Sequence, residues 1–459
     1  MTPAGASPPH GRNPFPLVAV EMLSPHAPLR LSVTTPACDT VLDNADAFLR
    51  SLAPDGRAFP GAGNVLAVVG ENGTGKTHLA MVLCHRLLEG GPAVRPVCVD
   101  RVGNSFLEVY RQFAGQVDRW ALSGCVQRFY AGVVADSLAG SPAAADIVAG
   151  LREGRLSPQG VVRRYGLMRT GLLEELRVRL TAATGDPVHG TAFALIQRPE
   201  FTDLVWDWLR GGPPAAALVD RGVAHAVDTE AAAVEALRAL TMVFAAQERP
   251  FALFVDEFDG LLAGPPESVP GKAHALGRLM EAYISTGSLL VLTGRPAAFR
   301  LLPAQVAERL GAVVRPSAFT ARHAEEYLRM AFGGLGPFTG PGVGHLVEMT
   351  GGNPRWFIRL CHRAYERAVR RDEPVTPAMV QHLIGEDGPA SGGPPFDRRR
   401  EGASASDALG DVRRQQALIS VLTARVEELA ARVERLEGGG DAVPPGMARG
   451  HRRPGGPGP

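Results

Sequence analysis

Gly70-Glu71-Asn72-Gly73-Thr74-Gly75-Lys76-Thr77, preceded by the apolar run Val65-Leu66-Ala67-Val68-Val69, decides how the rest of this 459-residue chain is read. The octapeptide fits the pattern GxxxxGK[ST] with the flanks that pattern requires. A buried strand runs into it, and Thr77 to Leu88 has helical character after it. Glycines let the backbone wrap closely around a phosphate with its N–H groups turned inward. The N-terminus of the following helix adds partial positive charge. Lys76 is a compact point charge, where the planar fork of an arginine would not fit the same cradle. The candidate cradle is therefore Gly70, Glu71, Asn72, Gly73, Thr74, Gly75, Lys76, Thr77 and His78.

A second stretch completes the chemistry. Phe251-Ala252-Leu253-Phe254-Val255 is an apolar run ending in Asp256-Glu257. With the phosphate loop upstream, this reads as the acid pair of a site for ATP and Mg²⁺. Thr77 and Asp256 are the candidate metal ligands, and Glu257 the group that orients an attacking water. Asp259 reads as a turn residue. Leu289-Leu290-Val291-Leu292 is a further buried run, and Thr293 at its end is a candidate contact for the water or the terminal phosphate. Apolar runs without alternation, here and at 96–100, imply strands covered on both faces, as in a parallel α/β sheet.

Composition narrows the class. Lysine occurs only at 76 and 272, so 46 of the 48 basic residues are arginine. Such a bias reflects GC-rich codon usage and makes the survival of Lys76 informative. Lys272 reads as part of a Pro/Gly-rich loop after the acid pair. The formal net charge of +1 excludes a polybasic protein but not a local basic groove. No apolar run reaches the length of a membrane span. The five cysteines form no CxxC pair, which argues against zinc and disulfides and fits a reducing cytoplasm.

The chain divides by composition. Residues 1–14 read as disordered, 15–100 as the first part of an ATPase core, and 101–247 as a helical insertion. Its segments 106–113, 172–180, 201–209 and 231–246 repeat apolar residues every three and four positions. Residues 248–317 read as the second part of the core, 318–385 as a helical lid and 386–410 as a linker. Residues 411–437 carry a heptad: Val412, Ile419, Val426 and Val433 at a, with Gln415, Leu422, Leu429 and Leu436 at d. β-Branched a and leucine d positions favour a parallel two-stranded coil. Residues 438–459 read as a disordered tail. Arg152, Arg155, Arg163, Arg164 and Arg169 form a basic stretch in the insertion, open to two readings: a phosphate-contacting surface or a solvated face.

The order of phosphate loop, acid pair, polar strand end and helical lid resembles that of AAA+ ATPases. Gly351-Gly352-Asn353-Pro354-Arg355, followed by a helix over 356–370 and a second helix start at Val375-Thr376-Pro377, makes the likeness more specific. It is similar to the lid of initiator, ExeA-like, transposition-helper and STAND-type ATPases. The resemblance implies a P-loop NTPase parallel sheet with a large helical insertion, a helical lid and a C-terminal coiled coil. It implies that Arg355 reaches the nucleotide phosphates from the lid. It also implies an arginine acting on a neighbouring subunit, for which Arg309 is the candidate and Arg295 and Arg300 the competitors. The implied activity is Mg²⁺-dependent ATP hydrolysis by a homo-oligomeric switch or remodeller. DNA, or a protein held by the coiled coil or the insertion, is the candidate partner, and no membrane is involved. The alternative is a STAND-like signalling or phage-defence regulator whose ATP-bound oligomer activates an effector. The likeness covers about 15–100 and 248–385. The insertion and the missing winged-helix domain depart from the initiators.

Overall fold

The computed structural model describes residues 13–16, 22–29, 31–53, 59–90, 94–100, 102–247 and 250–386, all inside one compact unit, Met1–Phe396. Five parallel strands form one sheet: β1 (Asn64–Val69), β2 (Arg95–Val99), β3 (Phe251–Val255), β4 (Leu289–Gly294) and β5 (Ala312–Val314). Their spatial order is β2-β3-β4-β1-β5. The strand bearing the acid pair is thus not beside the strand feeding the phosphate loop, because β4 lies between them. β1 pairs β4 through Val68↔Thr293, and β4 pairs β3 through Leu292↔Val255.

Residues along each strand alternate between two cores. Val65, Val97, Leu253, Val255, Leu290 and Leu292 face one core. Leu66, Val68, Cys98, Phe254 and Val291 face the other. That is the expected two-sided burial, and it explains why no polar residue interrupts these runs. β5 has no such signal in the sequence. It is three residues long at the sheet edge, and Val313 there is exposed.

Helices α1 (Pro36–Arg50) and α2 (Lys76–Glu89) cover the second core. The α1 start follows from its cap: Thr35 accepts the Cys38 N–H, and Pro36 occupies the first turn. Between β2 and β3 run α3 (Phe106–Gln116), α4 (Arg119–Leu138), α5 (Ala145–Arg152), α6 (Pro158–Tyr165), α7 (Arg169–Thr184), α8 (Pro187–Leu195), α9 (Pro199–Leu209), α10 (Ala216–Val219) and α11 (Glu230–Gln247). This insertion does not keep its core to itself. Phe113 and Phe244 both pack on Phe251 of β3, ring centroids 5.0 Å apart in each case. Its apolar residues are continuous with the first face of the sheet.

After β3 come α12 (Val269–Ser285), α13 (Pro296–Phe299) and α14 (Ala304–Ala307). Lys272 lies in the first turn of α12 rather than in a loop. The Pro/Gly-rich sequence misled here because Pro270 is favoured at a helix start. The lid is α15 (Ala321–Phe332), α16 (Gly340–Met349), α17 (Pro354–Arg371) and α18 (Pro377–Glu386). Its core contains Tyr327, Leu346, Phe357 and Val380, and Phe15 from the N-terminal segment inserts into it. Phe15 is 2% exposed and meets the rings of Tyr327, Phe332, Phe338 and Tyr365.

Among the described residues no helix is long and apolar enough to cross a membrane. The expected coiled coil at 411–437 and the tail at 438–459 lie outside the described residues. So do most of the linker at 386–410 and of the segment 1–14.

Candidate functional site

Parallel strands bring their C-terminal ends to one edge of the sheet, where α/β folds bind ligands. The loop after β1 turns there into α2 through two residues in the left-handed region, Gly73 (φ 80°) and Gly75 (φ 99°). A Cβ at Gly75 would meet nothing, so its requirement is conformational. Gly73 is held on both counts: a Cβ there would lie 2.8 Å from Asn353 Oδ1 and 2.9 Å from Arg355 Cβ.

The expected cradle residues divide into two groups. Asn72, Gly73, Thr74, Gly75, Lys76, Thr77 and His78 line a pocket. Gly70 and Glu71 are not among its lining residues. The Gly70 N–H donates to Gly294 O at 3.1 Å. Glu71 O accepts from Thr74 Oγ1 at 2.8 Å and from Lys76 Nζ at 3.0 Å. Lys76 is buried. Burial pulls its ammonium below the usual lysine range, and the charges of Asp256, Asp259, Glu257 and Glu71 pull it back up. His78 Nε2 lies 2.8 Å from Ser32 Oγ.

The acids sit against this loop although Asp256 follows Thr77 by 179 residues. Thr77 Oγ1 donates to Asp256 Oδ2 at 2.8 Å. Asp256 is buried, at 3% exposure, while Glu257 is exposed to the pocket. Glu257 takes the left-handed conformation, φ 51° and ψ 42°, which costs a non-glycine residue about 1–2 kcal/mol. Thr293, fully buried, holds it there. The Thr293 hydroxyl donates to Asp256 Oδ1 and accepts the Glu257 N–H at 3.2 Å. It is thus engaged by the acid pair and does not line the pocket.

Arg355 lines the pocket from the lid. Leu31, Val33, Cys38, Phe319, Tyr327 and Ile358 supply an apolar wall beside it. Arg309 lies elsewhere. It precedes β5, and Gly311 N–H donates to Val65 O at the opening of β1, on the opposite edge of the sheet. Its guanidinium donates to Gly277 O at 2.9 Å and pairs with Glu281 at 3.5 Å. Strands of this length put about 15–20 Å between it and the pocket. Asp259 lies in the short turn over Phe258–Gly260, and its carboxylate binds Arg295 at 2.9 Å. Arg300 is exposed. In the insertion, Arg152 pairs with Asp136 at 2.9 Å and Arg155 with Glu153 at 2.5 Å. The expected basic stretch is to that extent neutralised.

Three features escaped the motif reading. Asn353 is fully buried and touches the phosphate loop as well as capping α17. The GGNPR motif marked the cap but not the contact. Lys272 Nζ donates to Asn104 O at 2.7 Å and Ala263 O at 2.8 Å, joining the loop after β2 to the loop after the acids. Phe15 and Pro16 come from a segment with no sequence signal, yet Pro16 lines the pocket.

The donor set fits a nucleoside triphosphate with a divalent cation. A hydroxyl and a carboxylate, both hard oxygen ligands, already lie side by side at Thr77 and Asp256. Lys76 and residues 72–75 of the loop line the same pocket as Thr77.

No protein-family model matches the chain, and no curated protein matches it. Among solved structures, the chain is similar to the ORC2 protein of Aeropyrum pernix in its ADPNP-ADP complexes, with 13% identity over 77% of this chain and 68% of that one, TM-score 0.41. It is similar to Cdc6p from Pyrobaculum aerophilum, with 14% identity over 80% and 72% of the two chains, TM-score 0.40. It is also similar to Drosophila ORC bound to DNA, with 16% identity over 80% and 70%, TM-score 0.34. Strand order and the loop after β1 make the fold that of an α/β P-loop NTPase.

Proposed function

We propose that this chain is an ATP-driven switch or remodeller of AAA+ type. It binds ATP with Mg²⁺ between core and lid, hydrolyses it, and works as a homo-oligomer with DNA as its partner. One observation carries the reading: Lys76, Thr77, Asp256 and Glu257, far apart in the chain, converge beside a pocket that Arg355 closes from the lid.

The loop amides and Lys76 hold the phosphates, and Thr77 with Asp256 holds the metal. Bound Mg²⁺ would supply charge neutralisation on the phosphate oxygens. Glu257, exposed at the pocket, accepts a proton from a water and aims it. Thr293 fixes Asp256 and the Glu257 backbone so that this aim is kept. Arg355 adds positive charge from the lid side. Arg309 faces away from its own pocket, so any phosphate it touches belongs to a neighbouring copy. DNA as partner follows from the resemblance of the motifs to initiator ATPases. The second reading, a signalling regulator that docks an effector, is favoured by the large helical insertion between β2 and β3.

The test is ATP binding and turnover by the full chain, with and without duplex DNA. Wild-type protein should turn over ATP in Mg²⁺. Lys76→Ala should abolish binding, and Glu257→Gln should bind ATP without hydrolysing it. Neither binding nor turnover by the wild-type chain under both conditions refutes the proposal. A partner pulled down through the insertion, with no DNA effect on turnover, selects the second reading.

A further inference from the structure

The lid touches the phosphate loop itself, through the first turn of α17. Asn353 caps this helix: its Oδ1 accepts the N–H groups of Arg355 at 3.1 Å and Trp356 at 3.2 Å. That double acceptance fixes which end of the side-chain amide is oxygen. The nitrogen end therefore faces the loop, where Nδ2 donates to Asn72 O at 3.0 Å. One residue on, the Arg355 backbone N–H donates to Gly73 O at 3.2 Å. Two consecutive carbonyls of the phosphate loop are thus held by the lid. Asn353 has no exposed surface, and Gly73 lies too close to it to carry a side chain.

The consequence follows from peptide geometry. In a trans peptide the C=O and N–H point in opposite directions. A carbonyl drawn toward the lid sends the N–H of the same peptide to the other side of the loop. Asn72 O is paired in this way with the Gly73 N–H, while the Thr74 N–H, paired with Gly73 O, donates within the loop to Glu71 O at 3.4 Å. A phosphate loop works by presenting such N–H groups together, and each carbonyl turned the wrong way would offer a negative dipole to an anion.

We propose that Asn353 is a positioning residue for the phosphate site. Its side-chain amide holds the Asn72 peptide in the orientation that binds phosphate, so that seating of the lid sets the affinity of the core for nucleotide. This rests on the nucleotide reading above and adds a role for the lid distinct from the Arg355 side chain. Any movement that lifts α17 withdraws both hydrogen bonds at once and releases the two peptides to turn.

Two variants of the full chain separate this role from helix capping. Asn353→Ser retains a good cap and adds no charge, but lacks the donor to Asn72 O. Asn353→Asp retains the cap and the shape, and places an oxygen against that carbonyl. Binding of a fluorescent ATP analogue is measured together with melting of the nucleotide-free protein. The expected result is about a tenfold weaker Kd for Asn353→Ser, the scale of one lost hydrogen bond, and a larger loss for Asn353→Asp. Nucleotide-free melting should fall by only about 1–2 °C for Asn353→Ser, the cost of one buried hydrogen bond, and further for Asn353→Asp, which buries a charge. Wild-type affinity in Asn353→Ser overturns the proposal, whether or not Asn353→Asp is weakened, because a loss confined to the acid is a charge effect. Recovery of wild-type affinity by Asn353→Ser at a temperature well below its melting point also overturns it, since the residue would then act only as a cap. No binding by the wild-type chain refutes the nucleotide reading instead, and Lys76→Ala marks that baseline.

Discussion

Replacing Thr293 by valine removes one hydroxyl and nothing else of size. In the folded chain that hydroxyl is fully buried, donates to the Asp256 carboxylate and accepts the Glu257 N–H. Loss of a hydrogen bond to a charged group costs about 1.5–3 kcal/mol. Asp256 keeps the Thr77 hydroxyl at 2.8 Å, and Glu257 N–H keeps Asp256 Oδ1 at 3.1 Å. Neither group is orphaned outright, so the net loss should sit near ~2 kcal/mol. With an unfolding entropy of about 2.1 cal/mol/K per residue, a chain of 459 residues shifts by about 1 °C per kcal/mol, so melting should fall by about 2 °C. The functional effect should exceed the structural one. Glu257 is held in a left-handed conformation that valine no longer pins, so single-turnover hydrolysis should drop more than about tenfold, the scale of ~1.4 kcal/mol in barrier height. ATP affinity should change little, because Thr293 is not part of the pocket wall. Thr293→Ser, which restores the hydroxyl, should recover most of the rate. Urea unfolding and rapid-quench hydrolysis measure the two quantities. Wild-type stability and wild-type rate in the valine variant would refute the idea that this hydroxyl organises the acid pair.

Three further outcomes are expected. Lys76→Met should abolish nucleotide binding yet raise nucleotide-free melting at pH 7, because a buried ammonium is disfavoured in the folded state. With its folded pKa below the unfolded value near 10.5, the folded chain binds fewer protons in that alkaline window. Wild-type stability should therefore gain with pH there, and the methionine variant should lose that gain. Phe15→Ala should cost about 3 kcal/mol by emptying its place among four rings, read as faster proteolysis near residues 13–16. Lys272→Met should cost about 1–2 kcal/mol through the loss of its bonds to Asn104 O and Ala263 O, with hydrogen exchange rising in both loops.

The core of the fold was legible because its signals are local. A strand buried on both faces must be apolar throughout, and Val65–Val69, Phe251–Val255 and Leu289–Leu292 could not be much else. β5 was invisible: three residues at an edge carry no pattern. The insertion read as helical from its periodicity, but periodicity cannot say what a helix packs against. Phe113 and Phe244 turned out to complete the core of the sheet. Lys272 shows the reverse error, where a local Pro/Gly signal suggested a loop at the start of a helix.

The sequence by itself determined the phosphate loop, the acid pair and the lid motif, because their chemistry admits few residue types at fixed spacing. It also singled out Lys76 in a chain otherwise built on arginine. The tertiary structure decided which of these groups meet. It set β4 between the other two strands, so that Thr293 grips the acids. It sent Arg309 to the far edge. It brought Asn353, more than 280 residues downstream of Asn72 in the chain, onto a loop carbonyl at 3.0 Å. Residue type follows from local chemistry. Long-range contact follows from strand order and core packing, which no short window of sequence contains.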